Sequence, residues 1–305
     1  GIGAALGLKD QIGGDADGDI TAIARNDGHI SFDGKLKTSR GYVRIENVRQ
    51  PTAMDVEFSA QILPDADAMP DRAEVSFSAT ADSFTVKSLQ PVAIRSIRDP
   101  QKLEAQARLQ VHSDGRAFWK QFGPLLKVFN MSTPLEETLA GELVVGGSPG
   151  RLKLQLEGML QSQKDPPAPI RLSIKSQYDG TALGEATGQP FVTFDVHLKS
   201  AQDKSLDSCL AGEATRSKTQ QIIDLPRYQA LGDLGVLNML NARFGEYVRV
   251  FLGPEYSVSG FFSQSGQSKL VQNLGADGKV SSQQLSFSTE LKLSQFKLRG
   301  KPIRA

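Results

Sequence analysis

The chain has 305 residues, with 35 Lys or Arg against 34 Asp or Glu, for a formal net charge of +1. That balance lacks the basic footprint that nucleic-acid binding needs, and a single cysteine, Cys209, excludes an internal disulfide framework and a cysteine-built zinc site. Hydrophobic residues make up 39%, enough apolar surface to offset the entropy of ordering, so a disordered chain is also excluded.

Residues 1–18 read as a lead-in to a first β-rich lobe, 19–165. Val56, Phe58, Ala60 and Ile62 alternate with polar residues, and Val75, Phe77 and Ala79 repeat the pattern. A period of two gives a strand one apolar and one polar face. The period breaks at 116–130, where Phe118, Phe122, Leu125, Leu126 and Phe129 are spaced as one helix face and Trp119 widens it. Asp114 is suited to cap that helix. Pro124 is expected to kink it or restrict it to two short turns. Alternation resumes at Leu152, Leu154 and Leu156, and the proline-rich stretch 165–169 reads as a stiff connector.

A second β-rich lobe follows, 166–305. Ile170, Leu172 and Ile174 alternate, as do Val192, Phe194, Val196 and Leu198. Residues 201–220, rich in Ser, Lys and Gln, read as a mobile stretch. An amphipathic helix is expected over 227–252 from Leu231, Leu234, Leu237, Leu240, Phe244, Val248 and Phe251, with Gly253-Pro254 as its stop. Leu285, Phe287, Leu291 and Leu293 restore alternation. Phe296 and Leu298 stand in the opposite phase, which predicts a bulge near Gln295. Asn26-Asp27-Gly28, Asp33-Gly34, Asp114-Gly115, the glycine-rich 146–150, Asp179-Gly180 and Asp277-Gly278 read as tight connections. These signals delimit about 14 strands.

The fold class that follows is mostly β: a large antiparallel sheet, apolar on one side, with two helical insertions. The apolar side is either left open by a curled sheet, as a groove, or closed by a second sheet, as a sandwich. Alternation alone does not choose between them.

Reactive constellations are scarce. Gly146-Gly147-Ser148-Pro149-Gly150 matches the string of a nucleophile elbow, but Pro149 lacks the N–H that follows the serine, and a strand reads after it where a helix is required. The alternating carboxylates of 15–19 resemble the start of a calcium loop, yet the glycine is misplaced and Asn26 stands where a bidentate Glu is wanted. They read instead as a turn before a strand at Ile20. His112-Ser113-Asp114 are sequence neighbours, which point apart on a strand and cannot form a relay. No metal site, cofactor or catalytic residue is assigned, and the chain reads as non-enzymatic. No run of about 18 apolar residues occurs, and the ends read as those of a piece of a longer protein.

The segment Ile30 through Val48, ISFDGKLKTSRGYVRIENV, resembles the strand phrases of the AsmA-like bacterial envelope proteins, which include TamB-type and YhdP-type members. The phrase DGRAFWKQFGPLL from Asp114, followed by LAGELVV from Leu139, is similar to their helix-then-strand units, and the closing stretches at 278–287 and 296–302 have the same character. The resemblance implies a periplasmic β-groove that carries phospholipid or other acyl-chain lipid. It also implies an inner-membrane anchor and membrane contact in segments outside this chain, with other envelope proteins as partners. The expected function is therefore a non-enzymatic envelope module that binds or conducts lipid along an apolar groove. Phe58, Phe77, Leu154, Leu172, Phe194, Val196, Phe287 and Leu293 are the expected lipid-binding wall. The alternative is a structural or adhesive β-sandwich that binds glycan or protein.

Overall fold

The computed structural model describes residues 12–39, 41–45, 48–64, 70–99, 102–128, 137–148, 150–161, 169–183, 189–201, 206–234, 257–275 and 280–299. The chain divides into two compact units, Gly1–Pro149 and Gly150–Ala305. This division falls before the proline-rich connector, whose residues 165–168 lie outside the described ones.

The first unit contains β1 (Ile12–Gly13), β2 (Ala16–Ala24), β3 (Ile30–Thr38), β4 (Tyr42–Ile45), β5 (Val48–Pro51), β6 (Met54–Pro64), β7 (Pro70–Thr80), β8 (Phe84–Ser88), β9 (Val92–Arg95), β10 (Glu104–Asp114), α1 (Gly115–Val128) and β11 (Thr138–Ser148). The large sheet is antiparallel and has 15 strands, and its part in this unit runs β2-β3-β6-β7, then β8 and β9 sharing one slot between β7 and β10, then β10 and β11. A separate three-stranded sheet joins β1, β4 and β5. The second unit is a meander of β12 (Arg151–Gln161), β13 (Ile170–Asp179), β14 (Pro190–Ser200), β15 (Leu206–Arg216), β16 (Gln220–Asp233), β17 (Ser257–Leu274) and β18 (Val280–Arg299), each strand antiparallel to the next. Neither unit is a two-sheet sandwich of comparable sheets. The described residues form 18 strands against about 14 expected, and the shortest are β1, β4, β5 and β9. Each has four residues or fewer, too short to display a period.

The helix forms where expected, and Asp114 caps it: the Ala117 N–H donates to Asp114 Oδ1 at 2.9 Å. Pro124 sits inside one continuous helix and does not split it into two turns. The described part of the helix's aromatic stripe is half-buried and packs against β8. Phe118 and Phe122 lie 4.8 Å apart, Phe122 reaches Phe84 of β8 at 6.3 Å, and fully buried Ser83 hydrogen-bonds Gln121.

Four expectations are corrected. Asp33-Gly34 is not a turn but the middle of β3, because the Phe58 ring of the neighbouring strand lies over Gly34, and a Cβ there would come within 2.6 Å of it. The carboxylates Asp17 and Asp19 lie in β2 opposite Lys37 and Lys35, so the strand starts before Ile20. Residues 206–216 form β15 rather than a mobile stretch. The expected helix at 227–252 fails over 227–233, which belong to β16, because Tyr228, Ala230 and Gly232 continue the period of two toward β17. Leu234 is buried, and 235–252 lie outside the described residues.

The register of the second unit breaks at several places, and two of these bulges bear on its faces. The Ser259–Lys297 pair is followed by Phe261–Ser294, so β18 carries one extra residue at the expected place, with Gln295 at φ 51°. The second bulge places Pro226 inside a central strand. Both neighbours of β16 shift register there, and a proline without an N–H is accommodated only at such a break.

Candidate functional site

Directly opposed residues on paired strands share a face, so the register assigns every strand residue to one side of its sheet. In the first unit one cross-strand row reads Gly18, Leu36, Val56, Ala79, Val86, Val111 and Gly141. Another reads Ala24, Ile30, Ile62, Ala73, Ile94, Ala105 and Gly147. Between and beside them lie the rows that hold Phe32 with Ala60, Phe58 with Phe77, and Met54. Strand spacing and rise give this apolar face a footprint of roughly 750 Å², most of its side chains being half-buried.

The opposite face is charged and internally neutralised. Lys35 Nζ lies 2.7 Å from Glu57 Oε1, Lys37 pairs Asp55 at 3.7 Å, and Arg108 grips Glu142 through two hydrogen bonds. The Glu57 hydrogen bond raises the Lys35 pKa, and the Arg108 bond holds the Glu142 carboxyl below its ordinary value. All four groups are solvent-exposed, so the pairs set the sidedness of the sheet more than they add stability.

The second unit repeats this division. One row runs Leu156, Ile174, Val196, Leu210, Tyr228, Gly266 and Thr289, and another Leu152, Tyr178, Val192, Ala214, Ile223, Leu270 and Leu285. Its other face pairs Arg151 with Asp179 at 3.2 Å, Lys199 with Asp207 at 3.2 Å and Lys269 with Asp224 at 3.7 Å.

All eight residues expected to form a wall fall on the apolar faces. Phe58 and Phe77 are direct cross-strand partners in the first unit. Leu154, Leu172, Phe194, Val196, Phe287 and Leu293 share the apolar side of the second. These faces are buried only in part. Only nine hydrophobic residues among the described ones reach core burial, chiefly Ile170 at 2% and Leu206 at 1% exposure. Phe287 and Leu285 of β18 stand 69% and 62% exposed. Interior apolar-face residues such as Phe58, Phe77, Phe194 and Val196 are half-buried.

The second unit's face ends in a polar row that sequence reasoning did not single out. Arg216, Gln221, Gln272 and Gln283 are successive cross-strand partners on β15, β16, β17 and β18. The signal was present: Arg216 stands two residues after Ala214, in the apolar phase of a strand that the polar composition of 201–220 disguises.

The motifs tested for catalysis do not assemble. A strand, β12, follows Ser148, where an elbow needs a helix. Ser113 Oγ donates to the Ser83 carbonyl at 3.2 Å, and Asp114 is committed to the helix cap. His197 lies 2.8 Å from Asp195 and opposite Cys209 on the charged face. No group of three or more His, Cys, Asp or Glu among the described residues is placed to hold a metal. No helix among them is long and apolar enough to cross a membrane. Comparison of the chain with protein-family models, curated proteins and solved structures found no match.

Proposed function

We propose that the apolar sheet faces bind acyl-chain lipid, and that the chain is a non-enzymatic lipid-binding or lipid-conducting module of a bacterial cell envelope. One observation carries the reading: row after row of apolar side chains shares one side of the sheet in each unit, yet most of them remain half-exposed or exposed. Leaving such a surface to water is unfavourable by about 25 cal/mol per Å². An acyl chain satisfies it without demanding hydrogen bonds. The neutralised opposite faces leave no charged field to recruit a polyanion.

The resemblance to AsmA-like proteins agrees with this reading and adds a periplasmic location, an anchor outside this chain and other envelope proteins as partners. The alternative, an adhesive module for glycan or protein, is less well supported, because a glycan site would place polar groups among its aromatics, and Phe58 and Phe77 stand among Gly34, Ala60 and Val75.

Organic extraction of the purified protein, followed by mass spectrometry of the extract, tests the proposal. The expected result is stoichiometric phospholipid or fatty acid. A lipid-free extract, together with failure to take up a hydrocarbon dye such as diphenylhexatriene, would overturn it.

A further inference from the structure

We infer that the row Arg216, Gln221, Gln272 and Gln283 is a headgroup site for an anionic amphiphile, whose acyl chain lies on the adjoining apolar rows. The inference rests on the proposed lipid-binding role and specifies the ligand.

The first observation is the sidedness of Arg216. Among the described strands of the 15-stranded sheet, every other Lys or Arg falls at a charged-face position or at the Pro226 bulge, and many have a carboxylate opposite or nearby, as Lys199 has Asp207 and Lys269 has Asp224. Arg216 follows the parity of Ala214 and shares the apolar side with Ile223, Leu270 and Leu285. It makes no ion pair and no side-chain hydrogen bond among the described residues, and it is half-buried. A guanidinium offers five donors and no acceptor, so an Arg on an apolar face without a carboxylate partner is available to an external anion.

The second observation is the neighbouring row. Gln221 is the direct partner of Arg216, Gln272 of Gln221, and Gln283 of Gln272. None of these three amides has a side-chain hydrogen bond among the described residues. On the reverse side the equivalent amides are satisfied: Gln220 donates to Asn273 at 3.1 Å, and Asn273 donates to Ser282 at 2.8 Å. The amides on the apolar side are therefore free to meet a ligand, whereas those on the other side are engaged with one another.

The spacing suits the ligand. Adjacent strands are about 4.8 Å apart, so an anionic head beside Arg216 stays within reach of the Gln221 amide, and the other glutamines can serve bridging water or ester oxygens. The next row inward is Ala214, Ile223, Leu270 and Leu285, which begins the apolar surface for the chain. No Asp or Glu occupies an apolar-face position on the described strands of this unit.

The test compares two probes with one chain and different heads: cis-parinaric acid, which carries a carboxylate, and its methyl ester, which carries none. The expected result is about tenfold tighter binding of the acid, the scale of a charge-assisted hydrogen bond. Arg216→Gln should remove that preference and leave ester binding unchanged, and Arg216→Lys should restore part of it. Equal affinity for acid and ester in the wild-type protein, or equal loss of both in Arg216→Gln with an unchanged melting temperature, would overturn the headgroup site and leave the apolar surface standing. Failure to bind either probe would instead overturn the lipid-binding reading, and the headgroup site with it. Inorganic phosphate alone is expected to give no saturable calorimetric signal. Saturable phosphate binding that excludes the acid would assign the row to a free anion and contradict the amphiphile.

Discussion

In the first unit the apolar face runs out beneath a helix, where Phe122 meets Phe84; in the second it runs out in a row of amides beside Arg216. The body of the two faces is built the same way, by alternation and antiparallel register. They differ in what terminates them. A helix cap removes apolar surface from water and closes one end. A polar row with an unpaired cation keeps the end open to a ligand with a charged head. Alternation therefore makes the surface, and the residues at its ends decide what the surface can hold.

The contrast between the buried and the exposed ends of the second unit's apolar face can be broken first with Leu206 and Leu285. Leu206 is 1% exposed and Leu285 is 62% exposed. Leu206→Ala should cost about 2–5 kcal/mol by loss of a buried side chain, and Leu285→Ala about 0.5 kcal/mol or less. Urea unfolding measures both. Equal costs would mean that β18 is covered in solution and that its face is not available.

A smaller effect sharpens the picture of the second unit's edge. Gln295 holds a left-handed backbone, φ 51°, at the bulge that keeps the apolar phase of β18 aligned. Gln295→Gly should stabilise by about 0.5–1 kcal/mol, and a β-branched Gln295→Val should destabilise by a similar amount. If both shift the urea midpoint in the same direction, the bulge lies elsewhere.

The smallest effect concerns the charged face. The Arg108 hydrogen bond lowers the Glu142 pKa from its ordinary 4.5. A carboxyl depressed on folding contributes stability above that ordinary value and loses it as pH falls through the depressed one. The wild-type advantage over Glu142→Gln should therefore be present at neutral pH and shrink below about pH 4.5. A difference that stays constant across the range would show that the pair contributes nothing through ionisation.

Much of this was legible in the sequence, and for a physical reason. Strands of nine or more residues, such as β6 and β14, display enough alternate positions to fix their faces, and all eight wall residues lie on the apolar side. The Asp114 cap and the Gln295 bulge were legible because each is a local signal. What escaped depends on neighbours in space. Gly34 reads as a turn until the Phe58 ring above it is known. Residues 227–233 fit helical spacing as well as strand spacing, and pairing with β15 and β17 decides for the strand. β15 was hidden because Ser208 and Gly212 interrupt its apolar phase, and with it went the position of Arg216.

The central claim is that the apolar faces are open to acyl chains. Photo-crosslinking from defined positions tests it most directly. Benzoylphenylalanine would be placed at Phe77 and Phe194 on the apolar sides, and at Glu57 and Lys175 on the charged sides, in protein loaded with phospholipid vesicles and irradiated. The account predicts lipid-mass adducts at Phe77 and Phe194 and none at Glu57 or Lys175. Adducts of equal yield on both sides, or none on either, would contradict it.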